Sequence, residues 1–205
     1  MPAPAQPTLD RGLGRKIVAY AEKRGTLRNA LAYMLATAWH ETAATMQPVV
    51  ETFYLSQPER DRYNKAKYYW PWIGRGLVQL THRENYVRAG AKIGVDLTSD
   101  PDKALDPDVS VAVLVLGMEQ GWFTGKKIAD YITLQRSDFV GARRIVNGRD
   151  RANHIAGIAK RFDALLLAEG YGVDAPAPPA EEVPPQGWLA VLAALVAAIR
   201  GMLKK

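Results

Sequence analysis

Residues 27–42 read Leu27-Arg-Asn-Ala-Leu31-Ala-Tyr-Met34-Leu-Ala-Thr-Ala38-Trp-His40-Glu41-Thr42, and this stretch decides the fold. Its apolar residues recur at spacings of three and four, which predicts a helix with one buried stripe. The stripe consists of Leu27, Leu31, Met34 and Ala38. Glu41 follows three residues after Ala38 and continues the stripe. A carboxylate in that position must be partnered, be protonated or open into a cleft.

Glu41 also lies near the predicted end of its helix, because Pro48 interrupts the pattern soon afterwards. The negative end of the helix dipole disfavours an anion, and so does removal from water. Both effects favour the protonated carboxyl group that a general acid needs near neutral pH. The alternative is a buried Glu paired with an Arg or Lys.

Length and composition predict one globular domain with an additional tail. The chain has 205 residues, of which 48% are apolar and 23% are charged. The absence of cysteine excludes disulfides, Cys-ligated zinc and a thiol nucleophile. Residues 1–7 have neither the basic nor the apolar region of a signal peptide, so we expect synthesis in the cytoplasm.

The chain is basic, with a formal charge of +6 and a pI of about 9.5. Segment 59–92 carries eight basic and three acidic residues. Such a face favours a polyanion, which could be nucleic acid, anionic lipid or an acidic cell wall. Nucleic acid is the weakest of these candidates, because no nucleic-acid-binding motif accompanies the charge.

The pattern is almost wholly helical. Helices are predicted to begin at Asp10, Thr26 and Asp106-Pro107. A further helix is predicted to begin at Ser137 or Asp138 and to end at Asn147-Gly148. Capping boxes are predicted at Ser56–Glu59 and Thr81–Glu84, and a last large helix over residues 150–169 with Gly170 as its cap. Only residues 76–81 have an extended pattern, and one strand cannot make a sheet.

The composition changes near residue 174. Residues 173–186 are rich in Pro and Ala and predict a semi-rigid linker after a domain of residues 1–172. Residues 187–205 contain the uncharged apolar run Trp188–Ile199, followed by basic residues. This run is shorter than the roughly 20 residues of a bilayer span, so it predicts a helix that inserts shallowly into an anionic membrane surface. The alternative is a helix that docks on the main domain or on a partner.

Glu51 provides a second carboxylate ten residues after Glu41, past the Pro48 break. Two carboxyl groups facing each other across a groove can hydrolyse a glycosidic bond, since one protonates the leaving oxygen and the other activates water. Glu59 is the rival second carboxylate, although its predicted capping box gives it a structural role.

A dense aromatic segment follows at residues 68–72, and two glycines come directly after it. Its aromatic residues are Tyr68, Tyr69, Trp70 and Trp72. Flat apolar rings suit the faces of sugars, and Gln79 and Asn85 can hydrogen-bond hydroxyl or acetamido groups. The alternative is a packed aromatic turn with Arg75 stacked on it.

Several ordered motifs together resemble glycoside hydrolase family 19, and most of all its phage endolysin branch. They are His40-Glu41-Thr42, Tyr69-x-x-x-x-Gly74-Arg-Gly-x-x-Gln79-Leu-Thr, Asn85-Tyr86 and the late Asn147-Gly148, and the resemblance covers about residues 26–165. It implies a mainly α, lysozyme-like two-lobed domain with a central cleft. It also implies inverting hydrolysis of β-1,4 bonds between N-acetylated amino sugars, without a cofactor or metal.

The resemblance implies roles for particular residues. Glu41 would be the general acid and Glu51 the base. The expected substrate-binding residues are His40, Thr42, Tyr68, Tyr69, Trp72, Arg75, Gln79, Asn85, Tyr86 and Asn147. The expected partner is peptidoglycan, which a monomer would reach at the cell wall after a membrane lesion, and the tail would contact an anionic membrane.

Three alternatives remain open at this point. A chitinase would use the same chemistry on uncharged N-acetylglucosamine polymers. A zinc peptidase is disfavoured, because the chain has three histidines and position 44 is not one, so His-Glu-x-x-His is absent. A non-catalytic wall-binding or membrane-permeabilising protein would use the basic surface and the tail, and it leaves Glu41 unexplained.

Overall fold

The computed structural model describes residues 5–172, and the predicted linker and C-terminal helix lie outside these residues. The chain divides into two units, residues 1–174 and 175–205. Within residues 5–172, none of the helices is long and apolar enough to cross a membrane.

The described part is mainly helical, which confirms the predicted fold class. Its α-helices are α1 (Gly14–Glu22), α2 (Arg28–Glu41), α3 (Gln57–Lys65), α4 (Arg83–Ile93), α5 (Pro107–Gln120) and α6 (Ala152–Ala168). Short 3-10 helices occur at Pro101–Leu105, Ile128–Asp130 and Gly141–Ile145.

Helix α2 forms the centre of the core. All ten residues from Ala30 to Trp39 are buried, so this helix is covered on every side and not only along the predicted stripe. Helix α6 is its most extensive neighbour, and Trp39 meets Phe162 of α6 edge to face at 5.9 Å. Burial of the helix fixes the direction in which its last turn emerges, and Glu41 lies in that turn.

Two of the predicted caps are confirmed, whereas Asp10 does not cap α1, which begins at Gly14 with Leu13 as its N-cap. Asp106 caps α5 by accepting hydrogen bonds from the backbone N–H groups of Asp108 and Val109. Ser56 and Glu59 form the predicted capping box of α3.

Two other predicted elements were wrong. The Thr81–Glu84 box does not form, because α4 begins at Arg83 with His82 as its N-cap; the Thr81 hydroxyl donates to the Gln79 carbonyl at 2.7 Å. The helix predicted over 137–147 is a 3-10 helix of five residues, which the Asp138 carboxylate supports by accepting from the N–H of Gly141 at 2.7 Å.

The extended segment does find a partner. Strand β1 (Val49–Val50) pairs antiparallel with β2 (Arg75–Gly76), with Val49 opposite Gly76. Two residues are too few to give a strand pattern in a sequence. The pairing brings the segment after α2 against the aromatic segment, and it places Glu51 beside Tyr69 and Gly74.

Candidate active site

Glu41 is the last residue of α2 and is partly open to solvent. Its side chain is 17% exposed, and its Oε1 accepts a 2.8 Å hydrogen bond from Nη1 of Arg143, whose own side chain is 3% exposed. Glu41 therefore has the Arg partner of the alternative interpretation, and it is also partly open to solvent. Within residues 5–172, Glu41 Oε2 accepts no hydrogen bond, so this oxygen is free for another group.

Arg143 reaches Glu41 from the 3-10 helix Gly141–Ile145. Its neighbours Ala142 and Ile145 are fully buried, which anchors the turn, and its Nε donates to the Asp150 carbonyl at 3.1 Å. With two ends of its guanidinium engaged, Arg143 is a fixed cation that sets the orientation of the Glu41 carboxyl group.

His40 lies beside this pair and faces His154 of α6, with ring centroids 5.7 Å apart. Burial lowers the pKa of His40 below its ordinary value. The charge of Glu41 opposes this, whereas Arg143, His154 and Arg151 add to the lowering. His40 is therefore held neutral next to Glu41 at neutral pH.

This environment predicts a pH dependence of stability. A histidine with a lowered folded-state pKa binds fewer protons in the folded than in the unfolded chain. Its contribution is thus fully present above the ordinary value of about 6.5 and is lost as the pH falls toward the folded pKa. In urea unfolding between pH 5 and 7.5, we expect the free energy of unfolding to fall less steeply with decreasing pH in His40→Gln than in the wild type. His82→Gln, outside this cluster, is the control, and an unchanged slope in His40→Gln would contradict the assignment.

Glu51 comes directly after β1 and is held by the aromatic segment. Its Oε1 accepts from the Tyr69 hydroxyl at 3.0 Å and its Oε2 from the N–H of Gly74 at 3.0 Å. Its backbone N–H donates to the Gly74 carbonyl at 2.7 Å. These contacts fix the carboxyl group of Glu51, while Glu59 is occupied in the α3 capping box. That Glu41 and Glu51 face each other across a groove stays a prediction.

The Tyr69 hydroxyl is a specific target for substitution. We expect Tyr69→Phe to lower kcat about tenfold, because Glu51 loses one of its two positioning donors, and to change stability by only about 1 kcal/mol. Tyr68→Phe is a matched control, since Tyr68 is 89% exposed and its hydroxyl does not contact Glu51. Equal kcat values for the two variants would remove Tyr69 from the site.

The remaining aromatic side chains divide into exposed and anchored ones. Tyr68, Tyr69 and His82 cluster with centroid distances of 5.0 to 6.1 Å, and Tyr68 and Trp70 are exposed. Trp72 is partly buried, and its indole N–H donates to the Thr98 carbonyl. A sugar-stacking role therefore suits Tyr68 and Trp70 better than Trp72.

Residues 24–126, half of the chain, match the family model described as chitinase class I, of glycoside hydrolase family 19. The chain belongs to glycoside hydrolase family 19. Glu41, Glu51 and the aromatic segment all lie inside the match, whereas Arg143, Asn147 and α6 lie beyond it.

Several named proteins and one solved structure are similar to this chain. Chitinase 8 of Oryza sativa subsp. japonica is 34% identical over 76 residues, which cover 37% of this chain and 29% of that protein. An endochitinase of Arabidopsis thaliana is 27% identical over 156 residues, covering 72% of this chain and 50% of that protein. The chain thus spans half or less of the length of these relatives. A crystal structure of a chitinase C with a Glu-to-Gln substitution has a TM-score of 0.48 at 20% identity, covering 81% of this chain and 86% of that one.

Two family 19 motif residues have structural positions here. Arg75 is buried, where its Nε pairs with Asp102 at 2.7 Å and its Nη1 donates to the carbonyls of Pro71 and Ile73. The Tyr86 hydroxyl donates to the Ile73 carbonyl, and burial raises the pKa of Tyr86 to about 12, so this donor persists at neutral pH. Both side chains hold the aromatic segment in place, which favours a supporting role over contact with a sugar. Arg75 also adds nothing to the basic surface predicted for segment 59–92.

The other expected binding residues of this family 19 domain are placed as follows. Thr42 is fully buried, and its hydroxyl bridges the Ala38 carbonyl and the N–H of Met46. Gln79 donates to the Val49 and Gly76 carbonyls, and Asn85 donates to the Thr81 carbonyl. Asn147 is exposed. The buried hydrogen bonds of the Thr42 hydroxyl favour a structural role for this residue. Substrate contact by Gln79, Asn85 and Asn147 stays a prediction.

Arg143 and His154 were missed from the sequence. The family 19 motifs gave no reason to select them, and nothing in Ala142-Arg143-Arg144-Ile145 marks Arg143 rather than Arg144 as the buried arginine. In the described part of the chain, no group of three or more His, Asp or Glu side chains could hold a metal ion.

Proposed function

We propose that this family 19 chain is an endolysin-type glycosidase that hydrolyses β-1,4 bonds in bacterial peptidoglycan. The observation that carries the proposal is the partly open carboxyl group of Glu41, which a buried Arg143 orients while one of its oxygens stays free. Glu41 is the general acid and Glu51 the general base.

In this mechanism Glu41 donates a proton from its free Oε2 to the glycosidic oxygen as the bond to the anomeric carbon breaks. Glu51 removes a proton from a water molecule that attacks the same carbon from the opposite face. The negative charge that develops on Glu41 is stabilised by Arg143, which is already in position and needs no rearrangement. Exchange with solvent then restores both protonation states.

The formal charge of +6 supports peptidoglycan over chitin, because peptidoglycan is anionic and chitin is uncharged. The relatives named chitinases support the second candidate, hydrolysis of N-acetylglucosamine polymers. A non-catalytic wall-binding protein would release no soluble sugar from either polymer.

Product analysis tests the proposal. Purified, membrane-free peptidoglycan and chitin oligomers are digested, the new reducing end is identified by mass spectrometry, and the first anomer is followed by NMR. We expect soluble muropeptides with the α-anomer, since inversion at a β bond gives α. A β-anomer would rule out Glu51 as a water-activating base, products from chitin alone would rule out peptidoglycan specificity, and no product from either would end the glycosidase proposal.

We also propose that residues 187–205 bring the enzyme to anionic membrane, as the apolar run and the basic end predict. The measurement is flotation of the full chain and of a chain ending at residue 172 with anionic vesicles. We expect only the full chain to float, and equal behaviour of the two chains would end the membrane part of the proposal.

A further inference from the structure

A cavity of about 360 Å³ lies between the loop before α6 and the first turn of that helix. Three arginines line it, Arg144, Arg149 and Arg151, together with Asn153 and His154. Its walls thus combine guanidinium groups with an amide and an imidazole. A cavity of this size can admit a carboxylate with the amino acid that carries it.

The positive charge of this cavity is not cancelled by its surroundings. Within residues 5–172, none of its three arginines forms an ion pair with a carboxylate. Asp138 pairs with Arg136 and also attracts Arg144, which offsets part of the charge, and Asp150 stands between Arg149 and Arg151 in the sequence. Helix α6 adds to the charge, since its first turn has no acidic residue and its N-cap makes no side-chain hydrogen bond.

The cavity is connected to the active site through shared residues. Arg143, which holds Glu41, precedes Arg144 and donates to the carbonyl of Asp150 in the cavity loop. His154 lines the cavity and also a neighbouring one that includes His40, the residue before Glu41. The arginine cavity is therefore linked to Glu41 through its partner Arg143 and through the His40–His154 contact.

We propose that the cavity lined by Arg144, Arg149 and Arg151 binds a carboxylate of the stem peptide that peptidoglycan carries on its muramic acid residues. This inference rests on the proposed function and deepens it, because the cavity selects the peptide-bearing glycan over uncharged chitin. The guanidinium fork suits a carboxylate, which it can bind through two parallel hydrogen bonds.

Binding of a small product tests the inference without any bond cleavage. The probe is a soluble disaccharide-tetrapeptide, used as such and after its carboxylates are amidated with methylamine and a carbodiimide. For the variant Arg144→Gln/Arg149→Gln/Arg151→Gln, we expect a Kd of the intact probe about tenfold higher than that of the wild type. The amidated probe should bind equally weakly to both proteins.

The matched control removes three charges elsewhere, with Lys23→Gln, Lys103→Gln and Lys160→Gln, which are exposed and line neither cavity. It should bind the intact probe like the wild type. Thermal unfolding monitors the fold, and the single variant Arg149→Gln at an exposed position replaces the triple variant if that one unfolds. Equal affinity of wild type and arginine variant for the intact probe would overturn the inference, as would equal losses in the lysine control.

Hydrolysis separates this inference from the proposed function. On intact peptidoglycan we expect the arginine variant to show a KM raised about tenfold with kcat retained, and on amidated peptidoglycan or chitin oligomers no change. A wild type that binds the probe through its arginines and yet releases no sugar would end the proposed function alone. Equal KM values of the wild type and the arginine variant on intact peptidoglycan would end this inference alone.

Discussion

Replacement of Glu41 by Gln is expected to lower kcat on peptidoglycan by about 10³-fold, within the range that general acid catalysis contributes. The amide has no transferable proton, while its oxygen can still accept the hydrogen bond from Nη1 of Arg143. The fold should therefore survive, with a loss of about 3 kcal/mol in the free energy of unfolding, because the buried Arg143 keeps a hydrogen bond but loses its counter-charge. The measurements are initial rates of sugar release and urea unfolding of the same preparation.

Glu22→Gln is a suitable control for this variant, since Glu22 is an exposed residue of α1 and makes no ion pair in the described part of the chain. It should retain the wild-type rate. Full activity of Glu41→Gln, with its folding confirmed, would remove Glu41 from the mechanism.

Replacement of Arg143 by Met is expected to cost about 3 kcal/mol of stability and to lower kcat about 10²-fold. The substitution leaves the Glu41 carboxyl group and the Asp150 carbonyl without their donor. It also removes the cation that stabilises the charge formed on Glu41 during proton transfer. The stability loss is placed at the low end of the range for broken buried pairs, because Glu41 is partly solvated.

Arg144→Met is the neighbouring control, with an expected loss of about 0.5 kcal/mol because Arg144 is only half-buried. Rates for both variants are measured on chitin oligomers, where the arginine cavity is not engaged. A double-mutant cycle with Glu41→Gln should give strongly non-additive losses. Strict additivity would show that Arg143 and Glu41 act independently.

The parts of the fold predicted from sequence are those whose signals lie within a few residues. Helix α2, the Asp106 cap and the Ser56–Glu59 box all depend on groups no more than four positions apart. The Thr81–Glu84 box has the same spacing and does not form, because α4 begins one residue later, with His82 as its N-cap. Local spacing therefore predicts a cap only where the first turn of the helix starts directly after the capping residue.

The candidate site was predicted in part for the same reason. Glu41 is conspicuous because it interrupts an apolar pattern, but its partner lies 102 residues further along the chain, where no local pattern connects the two. Arg75 and Tyr86 were predicted to bind substrate, because a sequence motif gives the residue types but does not show which side chains are buried. Only packing shows that both side chains point into the protein.

The enclosure of α2 constrains where this chain can be joined to a relative in a chimeric protein. The family-matched segment ends at residue 126, while the counterion of the acid and the helix that shields α2 both come from residues 141–168. A chimera spliced between residues 126 and 141 would inherit its acid from one parent and its electrostatic partner from the other. Viable splice points are therefore expected outside this interval, so that the two halves are exchanged as one heritable unit.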